Sequence, residues 1–194
     1  MRSFLPVLAL AGLLCAGAAT AGTVQVAGVP LEDKVTLQDT PLALNGAGVR
    51  YKAIFKVYVA ALYLQEKAAT PAEVQAAPGP KRIRITMLRD IESGELGRLF
   101  VRGVEDNMER GELKQLVPGL LRMGQIFAEQ KKLLAGDTFQ IDWLPGRGTV
   151  ITVKGQPQGA PFAEPEFFHA LLGIWLGPQP ADRALKEALL GRSP

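Results

Sequence analysis

Leu44-Asn45-Gly46-Ala47-Gly48-Val49-Arg50 runs into Phe55-Lys56-Val57-Tyr58-Val59-Ala60-Ala61-Leu62-Tyr63-Leu64, and this stretch decides the fold. The glycines read as a loosened turn that delivers one arginine to the edge of a strand. Phe55, Val57, Val59, Ala61 and Tyr63 form one face of that strand, and Tyr58, Ala60, Leu62 and Leu64 the other. A strand apolar on both faces is covered on both sides, by helices or by a second sheet. A partly buried arginine beside it needs compensation, because an unpaired buried charge costs several kcal/mol. Either an acidic side chain at the rim pairs with Arg50, or Arg50 reads an anion at the mouth of an apolar cleft.

Outward from this stretch, strand-like segments precede it at Thr23–Ala27, Val35–Leu37 and Leu42–Leu44. Thr70-Pro71-Ala72-Glu73 has the form of a capping box with proline at the first helical position. Lys81–Arg89 alternates, with Ile83, Ile85 and Met87 against Arg82, Arg84 and Thr86, as a half-solvated antiparallel strand does. Ser93 caps a helix to about Met108, with Leu96, Leu99, Phe100, Gly103, Val104, Asn107 and Met108 on one face. A second helix over Glu112–Leu134 is expected to break or kink at Pro118-Gly119, with Leu120, Leu121, Met123, Gly124, Ile126 and Phe127 inward. Gly136–Leu144 and Thr149–Lys154 make a hairpin through Pro145-Gly146-Arg147-Gly148, and helices follow at Glu164–Leu176 and Ala181–Leu190. Segregated strands and helices mean an α+β domain with an antiparallel sheet.

Residues 1–21 read as a secretory signal: Arg2, an apolar run from Phe4 to Cys15, and the small-x-small site Ala19-Thr20-Ala21. The expected exported chain, residues 22–194, is a single domain that begins at Gly22 and is periplasmic or secreted. It then contains no cysteine, since Cys15 is the only one, and uses neither disulfides nor thiol chemistry. With 22 Lys and Arg against 19 Asp and Glu, the charges are interspersed rather than striped. Nucleic acid is therefore not an expected partner. No later apolar run is long enough to span a membrane.

One histidine, His169, excludes triads and multi-histidine metal sites. Neither a P-loop nor a dinucleotide fingerprint occurs, so no cofactor is expected. Glu105, Asp106, Glu109 and Glu112 read as a solvated helix surface rather than a metal site. The polar groups left on apolar faces are Arg50, Tyr58, Tyr63 and Asn107. Asn107 either bonds backbone groups in the core or serves a site, because a buried amide must find partners.

The stretches 45–50 and 55–64 resemble the chalcone isomerase family, specifically its bacterial exported branch. The resemblance continues through Trp143-Leu144-Pro145-Gly146-Arg147-Gly148-Thr149 and Phe167-Phe168-His169-Ala170-Leu171-Leu172-Gly173-Ile174-Trp175-Leu176-Gly177. It implies an open-faced β-sandwich, with helices packed on one face of a large antiparallel sheet and a pocket between them. The family's anion-reading arginine corresponds to Arg50 and its helix asparagine to Asn107. Its catalytic tyrosine falls on Phe100, its strand threonine near Tyr58, and the hydroxyl residue of its late helix near Ile174. Cyclising a chalcone develops charge on a carbonyl oxygen, and losing one donor to such charge typically costs about 10²–10³-fold. Non-catalytic relatives bind fatty acids, holding the carboxylate with arginine and tyrosine. The resemblance thus favours a monomeric, non-catalytic protein that binds a small apolar or aromatic anionic ligand, with Arg50, Tyr58, Asn107, Phe100 and Ile174 at the site. The alternatives are a weak isomerase (an intramolecular lyase) acting on a chalcone-like or enone substrate, and a cell-envelope partner-binding protein whose pocket has collapsed.

Overall fold

The computed structural model describes residues 22–192, so the expected leader at 1–21 lies outside the described residues. The strands are β1 (Thr23–Val26), β2 (Val29–Glu32), β3 (Lys34–Leu37), β4 (Thr40–Lys52), β5 (Phe55–Leu64), β6 (Lys81–Met87), β7 (Ile91–Glu92), β8 (Lys132–Leu133), β9 (Thr138–Leu144), β10 (Gly148–Val153) and β11 (Gln156–Pro157). The helices are α1 (Pro71–Ala76), α2 (Ser93–Glu105), α3 (Arg110–Glu129), α4 (Pro165–Leu176) and α5 (Arg183–Leu189). A seven-stranded antiparallel sheet runs in the order β11-β10-β9-β6-β5-β4-β3, with β1–β2 and β7–β8 as separate two-stranded ribbons. The fold is α+β with helices on one face of the large sheet.

The two apolar faces of β5 enter two different cores. Tyr58, Ala60, Leu62 and Leu64 meet Phe100, Phe127, Leu171 and Trp175 on the helical side. Val59, Ala61 and Tyr63 meet Leu31, Leu37, Leu42 and Leu144 on the other side, which the β1–β2 ribbon helps to cover. The period-2 alternation of a strand produces this division directly. Two residues depart from the pattern: Val57, unpaired at the register shift between Arg50 and Tyr51, joins Tyr58 in the helical-side core, and Phe55 is 56% exposed. Phe55 follows the two-residue turn Ala53-Ile54, beyond the reach of either core.

The glycines at 46 and 48 are not a turn. They lie inside β4, which runs unbroken from Thr40 to Lys52. Their smallness admits α5. A Cβ on Gly46 would stand 2.0 Å from the Ala188 carbonyl oxygen, and one on Gly48 2.7 Å from the Ala188 Cβ. The register shifts between Leu44 and Gly46, so Asn45 forms a bulge. Its buried amide donates to the carbonyls of Ala68 (2.9 Å) and Leu189 (2.8 Å) and accepts from the Ala68 N–H. The bulge thereby ties β4 to the loop before α1 and to the end of α5.

The capping box at Thr70 and Glu73 forms as the sequence indicates. Ser93 does not cap α2: the N-cap is Glu92, and the Ser93 hydroxyl is buried without a partner. The Ser93 N–H instead donates to the Lys131 carbonyl beside the β7–β8 ribbon, which sets where the helix begins. Helix α3 continues through Pro118 from Arg110 to Glu129. Its inner residues are Leu116, Leu120, Met123, Ile126 and Phe127, whereas Leu121 is 65% exposed. Adjacent helical residues lie about 100° apart, so Leu120 and Leu121 cannot both face inward. On β6, Ile83, Ile85 and Met87 are buried while Arg82 sits on the opposite face. Arg82 makes a two-pronged pair with Asp142 of β9, at 2.7 Å through both Nε and Nη2.

Candidate functional site

Arg50 lies directly opposite Tyr58 in the β4–β5 register. Cross-strand neighbours project from the same face of a sheet, so both side chains stand on the helical side. There they line a cleft of about 620 Å³. Val57, Leu96, Phe100 and Ile174 give it apolar walls, and Gln179, Pro180 and Ala181 from the α4–α5 connection close one side. Lys52, Arg89, Arg102 and Lys132 stand around the lining together with Asp90, Glu92, Glu95 and Asp106. Two of these cations are matched: Lys52 pairs with Glu95 at 3.3 Å, and Lys132 with Asp90 at 3.0 Å.

Arg50 has an acidic neighbour, but a loosely placed one. Its Nη1 lies 3.8 Å from Asp182 Oδ2, beyond hydrogen-bond length. Asp182 is already engaged: it caps α5 by accepting the Leu185 N–H at 3.1 Å, and it accepts the Tyr51 N–H at 3.0 Å. The guanidinium therefore keeps its donors free for an incoming acceptor. The two readings of Arg50 from sequence meet in one arrangement, an ion-pair neighbour and a cleft-facing donor.

Tyr58 is buried, and its hydroxyl accepts a 2.9 Å hydrogen bond from the Trp175 indole N–H. That bond uses an oxygen lone pair and leaves the hydroxyl hydrogen available to donate. Burial pushes the hydroxyl up to about 12, against the downward pull of the Trp175 bond and the Arg50 charge. Tyr58 is thus a neutral donor at any physiological pH and not a base. Phe100 packs within an aromatic cluster, tilted against Phe127 at 5.3 Å and edge-on to Phe139 at 5.4 Å and Trp175 at 5.7 Å. Ile174 fills the notch above Gly103, where a Cβ would meet it at 3.1 Å. Neither Phe100 nor Ile174 brings a hydroxyl to the cleft.

The structure does not bring Asn107 to this cleft. Helix α2 ends at Glu105, so Asn107 falls past its end and turns toward the α4–α5 connection. Its amide nitrogen donates to the carbonyls of Gly103 (2.8 Å) and Gln179 (2.9 Å), and its oxygen accepts the Gln179 N–H at 2.8 Å. It is a backbone staple that holds Gln179, and through it the cleft wall, in place. Asn107 also lines a second recess together with His169, Glu112 and Glu166. Burial and the charge of Lys81 lower the His169 pKa, and the recess it lines is separate from the Arg50 cleft. Tyr63 faces the opposite side of the sheet, where its hydroxyl is buried without a partner. The acidic residues 105, 106, 109 and 112 are exposed.

Trp175 and Asp182 are the site residues that reading the sequence passed over. Asp182 had a local signature, an aspartate directly ahead of a helix. Trp175 had none, because its partner lies 117 residues away.

A family model described as chalcone isomerase-like matches residues 23–191. Among solved structures, the crystal structure of an Arabidopsis thaliana fatty-acid binding protein aligns with TM-score 0.69 at 16% identity, covering 87% of this chain and 96% of that one. At that identity the likeness is one of fold. No curated protein matches the chain.

Proposed function

The chain belongs to the chalcone isomerase-like family, and from that premise we propose that it is a binding protein that takes a small apolar ligand with an anionic head, such as a fatty acid, into the cleft. The observation that carries this reading is Arg50, whose guanidinium faces an apolar-walled cleft of about 620 Å³ with no hydrogen bond of its own to Asp182. That volume lies in the range of small-molecule sites, roughly 300–1,000 Å³. Arg50 supplies a charged fork and Tyr58 a neutral O–H, which together match a carboxylate. Each charge-assisted hydrogen bond contributes about 1.5–3 kcal/mol, and each methylene buried against Val57, Leu96, Phe100 and Ile174 about 0.8 kcal/mol. The open cleft counts against a partner-binding protein with a collapsed pocket.

Catalysis is less well supported. At the apolar end of the cleft, Phe100 and Ile174 present carbon where a developing oxyanion needs donors. Tyr58, held near 12, does not take a proton at neutral pH. Chalcone cyclisation should therefore barely exceed the uncatalysed rate, and substantial turnover would revive the weak-isomerase alternative. We place the activity outside the cytoplasm, in the periplasm or secreted, on the leader pattern of residues 1–21.

The test is a titration followed by tryptophan fluorescence in a Trp143→Phe background, so that the signal comes from Trp175, which sits one hydrogen bond from the cleft. A long-chain carboxylate should bind at least about 10-fold more tightly than its methyl ester, because only the acid gives Arg50 a charge to read. Equal affinities would remove Arg50 from ligand recognition. Native mass spectrometry of protein purified from its own host should show a co-purifying acyl chain.

A further inference from the structure

The β4–β5 turn projects beyond both cores and carries apolar side chains that nothing in the fold covers. Ile54 is 83% exposed and Phe55 56%, in a protein whose interior buries most of its large apolar residues. Between Tyr51 and Lys56 there are two lysines and no acid. Lys52 is matched by Glu95 at 3.3 Å, which leaves Lys56 as the free charge of the turn. Arg89 adds a second cation, its guanidinium 5.2 Å from the centre of the Phe55 ring. Two bulky apolar tips flanked by Lys56 and Arg89 are complementary to an anionic lipid surface: the side chains enter the headgroup–acyl boundary while the two cations meet phosphates. A partner protein with an acidic rim would need a shaped recess for Ile54, whereas a bilayer accepts a convex tip of any shape. The tip also adjoins the cleft mouth, because Lys52, Arg89 and the 40%-exposed Leu99 belong to its lining.

We propose that the Ile54-Phe55 turn, with Lys56 and Arg89, docks the protein on anionic membranes and sets the cleft mouth against the headgroups. The docking surface stands independently of what the cleft holds; its use in loading the cleft rests on the binding reading above.

The experiment is vesicle co-sedimentation of the protein, expressed from the full-length chain and purified as the cell processes it. Phosphatidylcholine vesicles with and without phosphatidylglycerol are compared at low and high salt. Association is expected with phosphatidylglycerol only, weakening as salt rises. The double variant Ile54→Ser/Phe55→Ser should reduce partitioning roughly 10-fold or more, and Lys56→Glu severalfold. Both positions of the double variant are exposed, so its circular dichroism should match the parent. All variants share the same amino terminus, so a loss specific to the turn is not an effect of residues 1–21. Vesicle co-sedimentation reads the turn and the carboxylate titration reads the cleft: loss of sedimentation in the Ile54/Phe55 variant with carboxylate affinity intact, or the reverse in the parent, separates failure of the docking surface from failure of the cleft reading. The proposal is overturned by absence of vesicle binding, by equal binding to neutral vesicles, or by binding that ignores the Ile54/Phe55 change. Recovery of a soluble protein that binds the turn in place of vesicles would likewise overturn it.

Discussion

Replacing Arg50 by alanine separates a ligand-reading arginine from a structural one, and the geometry gives the size of each effect. Two unit charges 3.8 Å apart, as Arg50 and Asp182 are, attract by about 4 kcal/mol gross at an effective dielectric of about 20. Most of that is offset. Both side chains keep some solvent contact, at 23% and 13% exposure, and no hydrogen bond joins them. Pairs of this kind contribute about 0–1 kcal/mol net. Nor is Asp182 stranded by the change, since it retains the N–H donors of Tyr51 and Leu185. The melting temperature should therefore fall by no more than about 4 °C, the shift that about 1 kcal/mol produces in a domain of this size. Binding should change much more. Loss of a charge-assisted hydrogen bond, about 1.5–3 kcal/mol, weakens a long-chain carboxylate by roughly 10- to 150-fold. Arg50→Lys should recover part of that, because an ammonium restores charge but not the planar fork. Differential scanning calorimetry and tryptophan-fluorescence titration on the same preparations read both quantities. A large fall in melting temperature with unchanged affinity would refute the reasoning and make Arg50 a structural residue.

Gly46→Ala should cost at least about 3 kcal/mol in chemical denaturation: the new Cβ meets two backbone carbonyl oxygens, at 2.0 and 2.7 Å. It fits only if α5 lifts, exposing some of Leu185, Leu189 and Leu190 at about 1.5–3 kcal/mol each; a variant as stable as the parent would contradict this packing. Tyr58→Phe should lose about 1–3 kcal/mol by leaving the buried Trp175 N–H without an acceptor. Because the folded Tyr58 pKa of about 12 lies above the ordinary value of 10.0, its contribution is complete below pH 10 and declines as pH rises toward 12. The phenylalanine variant should accordingly show a flatter alkaline limb in stability against pH, and an unchanged slope would place the titration elsewhere. Amino-terminal sequencing should find Gly22 first in protein released by osmotic shock, whereas a lipidated Cys15 would overturn the export assignment.

Element types were legible locally because each rests on short-range rules. The alternation through Phe55–Leu64 placed a doubly buried strand, and the Thr70/Glu73 capping box and the Pro145–Gly148 turn marked their elements. The order of strands and helices gave α+β for the same reason. Contacts between distant segments were not legible. Gly46-Ala47-Gly48 is compatible with a turn or with a strand under a close neighbour, and only the arrival of α5, some 140 residues later, selects the strand. Asn107 lies on the apolar stripe of its helix by spacing alone, yet the helix stops at Glu105 and its amide is consumed by Gly103 and Gln179. Arg50 was recognisable as a charge in need of a partner. Whether Asp182 would satisfy it depended on a 3.8 Å separation and on two backbone N–H groups competing for that carboxylate. The sequence by itself therefore determined which residues were apolar, which were turn-forming and which carried charge, since these are properties of each residue and its near neighbours. Only the tertiary structure decided that Arg50 and Tyr58 share a face, that Trp175 completes the site and that Asn107 does not reach it, because hydrogen-bond partnership depends on distances set by the whole packed chain.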